Sequence, residues 1–184
     1  FHCVHMSEED ISIFKSRGLT AVLNPASNLK LASGIAPVKR FLDEGIAIAV
    51  GTDGAGSNNA LDMFREMYLV SVLAKYREND ASAVDAAKVL KAACVGGARA
   101  MGLDACDGIA AGKKADLAVI DLKRPNMRPI NNIAKNIVYA GSKENVRLTM
   151  VNGRVLYEDG EFFIGEDAGK LYDEAEKIME TIKR

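Results

Sequence analysis

Val50-Gly51-Thr52-Asp53-Gly54-Ala55-Gly56-Ser57-Asn58-Asn59 follows the apolar run Ile46-Ala47-Ile48-Ala49-Val50 and precedes a long helical pattern that begins at Leu61. The order reads as strand, loop, helix. An Asp at the carboxyl end of a buried strand, among glycines that let other groups approach its oxygens, sits where α/β folds place metal ligands and catalytic acids. A strand-end turn in which Asp53 only caps the following helix reads equally well, because Asp and Gly are ordinary turn residues.

The remaining sequence sets bounds on this loop. The 184 residues suffice for one sizeable core, or for a core with a small appendage. A 48% hydrophobic and 27% charged composition is that of a globular chain rather than a disordered one. A net charge of −1 gives no electrostatic footprint for nucleic acid or an anionic membrane. The apolar runs are strand-sized and no signal-peptide pattern opens the chain, so a cytoplasmic protein without a membrane partner is expected. Cys3, Cys94 and Cys106 are odd in number and lack Cys-x-x-Cys spacing, which argues for reduced thiols rather than a disulfide framework or zinc knuckle. Because the chain opens at Phe1 inside a strand-like stretch, without an initiator Met, the carboxyl-terminal piece of a longer protein is expected.

Outward from the central loop, Phe1 to Met6 reads as the tail of a strand, and Ser7 caps a helix with Glu8, Glu9 and Asp10 in its first turn. Leu19 to Leu23 is a short strand ending at Asn24-Pro25, 26–36 a loop, and Pro37 the start of a helix with Val38, Phe41 and Leu42 on one face. This alternation requires parallel strands with right-handed crossovers. Two helices are expected after Asp53, at 61–77 and 83–101, the first lined by Met63, Met67, Val70 and Ala74. Beyond Asp107-Gly108 the pattern becomes β: a strand at 115–122, then a hairpin in which Asn152-Gly153 joins Val146–Val151 to Arg154–Tyr157. The expected division is therefore a unit over 1–106, β segments over 107–165, and an amphipathic helix over 166–184, docked on the surface through Leu171, Ala175, Ile178 and Ile182. His2 and His5, three apart on a strand, would face opposite ways, and a lone strand-end His is more often structural than catalytic. Two histidines and one Asp do not complete a zinc site of three or four protein ligands.

Three stretches together carry a resemblance: His2-Cys3-Val4-His5; Asn24-Pro25-Ala26-Ser27-Asn28-Leu29-Lys30-Leu31-Ala32-Ser33-Gly34-Ile35-Ala36-Pro37; and Gly51-Thr52-Asp53-Gly54-Ala55-Gly56-Ser57-Asn58-Asn59. The sequence resembles the last third of an amidohydrolase-superfamily barrel, and within it most closely the 5-methylthioadenosine/S-adenosylhomocysteine deaminases. Gly112-Lys113-Lys114-Ala115-Asp116-Leu117 and Val151-Asn152-Gly153-Arg154 are similar to the β segments that close such enzymes, although the Asn-Gly-Arg hairpin discriminates little.

The resemblance implies an α/β fold: the carboxyl-terminal part of a (β/α)8 TIM-type metal-dependent hydrolase barrel plus part of a small β-sandwich module. It implies that Asp53 ligates zinc at the end of strand eight and accepts a proton from the attacking water. His2, at the end of strand six, would orient that water or polarise the leaving amine, with Ser27 and Asn28 as pocket walls. The substrate would be a small nucleoside whose adenine ring loses ammonia. The histidine pair of strand one, a third metal His and the proton-shuttling Glu of strand five have no counterpart in this sequence, so the chain alone is expected to be inactive and to hold zinc weakly. Exposed strand edges would favour a homo-oligomer. Guanine deaminase and triazine chlorohydrolase remain open as alternatives, as does a metal-free structural or binding module.

Overall fold

The computed structural model describes residues 1–182, and contacts divide it into two units. The first comprises Phe1–Lys113 and Leu122–Asn145, so a segment within the 107–165 stretch belongs with the amino-terminal elements. Helix α1 (Glu8–Arg17) begins at a reciprocal capping box between Ser7 and Asp10. Strands β1 (Thr20–Leu23) and β2 (Ala47–Val50) pair in parallel, from Thr20 opposite Ala47 to Leu23 opposite Val50. The crossover between them holds α2 (Pro25–Lys30) and α3 (Val38–Asp43). After β2 come α4 (Ala55–Asn58), α5 (Met63–Glu78), α6 (Ala86–Lys91), a π-helical turn over Ala92–Gly96, α7 (Gly97–Ala100) and, following Asn132, α8 (Ile133–Ala140). Leu23, Phe41, Ile48, Val70 and Val89 anchor the core between the strand pair and the helices.

Several expectations are corrected here. Phe1 to Met6 is not a strand: His2 and Cys3 adopt left-handed φ of 66° and 52°, and only the His2 N–H joins the sheet edge, donating to the Val22 carbonyl at 2.8 Å. The 26–36 loop opens instead with α2, because Pro25 occupies the first helical turn, where its missing N–H costs nothing. The helix expected at 61–77 starts at Met63, since Asp62 caps it through the Phe64 and Arg65 N–H groups. The 83–101 helix starts after the Asp85 cap and is broken by the π turn. A Cβ on Gly96 would lie 2.3 Å from the Ile48 carbonyl oxygen, so the turn and β2 approach to a distance that no side chain permits. No expectation anticipated α8.

The second unit, Lys114–Asp121 and Val146 onward, is an antiparallel sheet of order β3-β4-β5-β6. Strand β3 (Leu117–Ile120) is shorter than the expected 115–122; β4 (Val146–Val151) and β5 (Arg154–Glu158) form the expected hairpin, and the two-residue β6 (Glu161–Phe162) was not anticipated. Asn152 and Gly153 both have positive φ, 50° and 81°, as a turn twisted to match the strands requires. Helix α9 (Ala168–Ile182) keeps its amphipathic pattern, yet none of its residues is buried and Ile178 is 61% exposed. Positions 183 and 184 of the 166–184 expectation lie outside the described residues. No helix among the described residues is long and apolar enough to cross a membrane.

Candidate active site

Parallel pairing puts the carboxyl ends of β1 and β2 side by side, so the chain leaving each strand enters the same edge of the sheet. From β1 it turns at Asn24-Pro25 into α2, which presents Ser27 and Asn28. From β2 it passes Gly51-Thr52 to Asp53, whose φ of 60° is left-handed. The hydrogen bond from His2 to Val22 sets His2 beside β1 at that edge. All four residues expected at the site thus come together. They form one wall of a cleft of about 460 Å³ that Phe1 and Leu31 flank with apolar surface.

Asp53 Oδ2 accepts the Ser27 hydroxyl at 2.6 Å, and Oδ1 accepts the Gly54 N–H at 2.7 Å. The Ser27 hydroxyl foremost, then the Gly54 N–H and the nearby Ser57 hydroxyl, hold the Asp53 carboxyl at about 2, below its ordinary 3.8. It is an anion throughout the neutral range. His2 Nδ1 lies 2.8 Å from Asn28 Oδ1; a carbonyl oxygen only accepts, so Nδ1 carries the proton and Nε2 of the neutral ring presents a lone pair. Nε2 stands 3.9 Å from Asp53 Oδ2. That is too long for a direct hydrogen bond and suits a polar atom of a ligand, or a water, held between imidazole and carboxylate.

His5 lines the same cleft as His2, which corrects the expectation that the two face apart: the alternation argument needs a strand, and this segment is not one. The expectation also lacked the groups behind the wall. Glu66 on α5 is fully buried and accepts N–H groups from Ala26 and Asn58, while Lys30 on α2 reaches Gly56 O at 3.0 Å. Glu66 had a signal in the sequence, since it falls on the same helix face as Met63, Met67 and Val70.

Among the described residues no group of three or more His, Cys, Asp or Glu side chains could hold a metal ion. The donor set of the described residues does not complete a zinc site. Asp53 fits one ligand position of a set that other residues would have to complete.

An amidohydrolase family model matches residues 1–156. The chain is 41% identical to 5-methylthioadenosine/S-adenosylhomocysteine deaminase 1 of Syntrophus aciditrophicus, over 100% of this chain and 42% of that protein. It is 38% identical to 5'-deoxyadenosine deaminase of Methanosarcina mazei, over 98% of this chain and 41% of that one. Among solved structures, an adenosine deaminase from Xanthomonas campestris with bound zinc superposes with a TM-score of 0.94 at 37% identity, covering 99% of this chain and 42% of its own. Atrazine chlorohydrolase from Arthrobacter aurescens, with zinc, gives 0.84 at 25%, covering 94% and 38%. This chain spans about two-fifths of the length of the curated relatives it matches. Because the family model runs through both strand-end loops and on into the β4–β5 hairpin, the chain belongs to the amidohydrolase family.

Proposed function

We propose that this chain is the carboxyl-terminal part of a longer zinc-dependent hydrolase, comprising the end of a (β/α)8 barrel and part of a small β-sandwich module. The whole protein deaminates the adenine ring of 5-methylthioadenosine and S-adenosylhomocysteine. The observation that carries the reading is the meeting of the Asp53 carboxylate and the His2 imidazole across a 3.9 Å gap at the carboxyl edge of a parallel strand pair. The deaminase names of the relatives supply the substrate class.

In the reaction, water adds to the ring carbon bearing the amine, the C–N bond breaks, and ammonia leaves as the ring becomes a lactam. Zinc, when bound, would supply Lewis-acid activation of the attacking water at neutral pH. Asp53 would hold the metal as one ligand, and its carboxylate carries a negative charge throughout the neutral range. A carboxylate held at about 2 binds a cation better than it keeps a proton, so it takes the proton of the water only in passing toward the leaving amine. Through Nε2, His2 accepts an O–H or N–H and fixes the water or amine in the gap, with Asn28 holding the ring in that tautomer. Ser27 orients the Asp53 carboxylate, and the apolar surfaces of Phe1 and Leu31 suit a flat heteroaromatic ring.

The test is ammonia release by the full-length protein containing this segment, with 5-methylthioadenosine, S-adenosylhomocysteine, 5'-deoxyadenosine, guanine and atrazine as substrates. The first two should give the highest kcat/KM, and Asp53→Asn should lower it at least about 10³-fold. Preference for guanine or the triazine would move the enzyme to a neighbouring branch. Absence of both turnover and bound zinc would favour a metal-free binding module.

A further inference from the structure

Glu66 is a carboxylate with no exposed surface, placed on the apolar face of α5 between Met63 and Val70. Burying a charge there is costly, and burial pushes its carboxyl above the ordinary range. Each oxygen has one partner, and the partners come from different loops. Oε2 accepts the Ala26 N–H at 3.1 Å, at the start of α2; Oε1 accepts the Asn58 amide at 2.8 Å, at the end of α4.

Both arms lead to the same atom group. Ala26 precedes Ser27, whose hydroxyl donates to Asp53. Asn58, itself 3% exposed, uses the same amide nitrogen to donate to the Thr52 carbonyl at 2.6 Å, one residue before Asp53. Two convergent N–H donors need a group with two acceptor oxygens and no donor of its own, which among neutral and anionic side chains is a carboxylate. Glutamine has the shape but must turn its NH₂ toward one of the donors.

We propose that Glu66 is a positioning residue, a buried two-oxygen clamp that fixes the Ser27–Asn28 turn against the Asp53 loop. Its consequence for catalysis rests on the reading of the site given above; the clamp itself does not.

The experiment is amide hydrogen exchange on this chain, comparing wild type with Glu66→Gln, and with Ser71→Ala, which lies on the same helix but bonds Tyr139. Glu66→Gln should lower protection of the Ala26, Asn28, Gly54 and Asn58 amides about tenfold or more relative to those of β1, β2 and α5, as local opening does. Ser71→Ala should show no such local loss. Asn58→Ala, which cuts one arm, should release Gly54 and Asn58 and leave Ala26 protected. Parallel loss at all amides in Glu66→Gln, or none in the two loops, would overturn the clamp; if Glu66→Gln fails to fold, equal loss on both arms in Asn58→Ala would do so. Exchange that changes as expected while turnover of the full-length protein stays at wild type would support the clamp and count against the proposed catalytic site.

Discussion

Both units bend the backbone into the left-handed region at residues other than glycine, to different ends. Around the cleft those residues are His2, Cys3, Ala32 and Asp53, with φ between 52° and 66°. In the antiparallel sheet they are Asn152 and Asp159, each followed by a glycine of positive φ, inside tight strand connections. At the sheet, the unfavourable conformation serves to reverse the chain. At the cleft it aims a side chain: His2 and Asp53 are turned so that Nε2 and Oδ2 face each other. Strain of roughly 1–3 kcal/mol per residue persists only where surrounding contacts hold it. Asp53 has Ser27 and Gly54 to do so, and Asp159 has its ion pair with Arg147.

The same substitution at the two places gives the sharpest contrast. Asp53→Gly and Asp159→Gly both remove a left-handed Asp, relieving roughly 1 kcal/mol while losing local hydrogen bonds. Thermal unfolding should find Asp159→Gly within about 0.5 kcal/mol of wild type, since the exposed pair it loses is worth little. Asp53→Gly should remain folded, yet deamination by the full-length protein should fall at least about 10³-fold. Turnover surviving in Asp53→Gly would break the distinction. A middle-sized effect is expected at the turn: Gly153→Val, at φ 81°, should cost about 1–2 kcal/mol in melting and leave the Ser27, Asn28 and Gly54 amide resonances in place.

The smallest effect is electrostatic. The folded-state pKa of Asp53 is depressed, so its stabilising share is present above the ordinary 3.8 and is lost as pH falls toward about 2. Ser27→Ala removes the largest cause of that depression. Carboxyl ¹³C titration should then show the Asp53 midpoint rising from about 2 toward 3.8. An unmoved midpoint would mean that Ser27 does not orient the carboxylate.

The parallel pair and the hairpin were legible because local chemistry decides them: apolar runs of strand length, Pro37 as punctuation, Asn152-Gly153 as a turn. The motifs that carry the family resemblance also marked the four residues, His2, Ser27, Asn28 and Asp53, that line one cleft. Phe1 to Met6 was misread because its conformation is dictated by one hydrogen bond to Val22 and by packing of Cys3, which no alternation pattern encodes. Helix α2 carried a signal in Pro25, outweighed by the small polar residues after it. Helix α8 also had one, an Asn132 cap with Ile133 and Ile137 one turn apart. The π turn had none: it depends on how deeply a helix meets β2, and depth is a tertiary quantity.

That depth has a consequence for sequence drift. At Gly96 the missing side chain acts as a gauge block between the helical turn and the Ile48 carbonyl, five residues before Asp53. Even one methyl would have to displace β2 or the turn, and a shift of a strand is carried along its length to whatever its end presents. Mutations can therefore wander freely through the exposed charges of α5 and α9 while this position, with no chemistry of its own, stays closed to every residue larger than hydrogen.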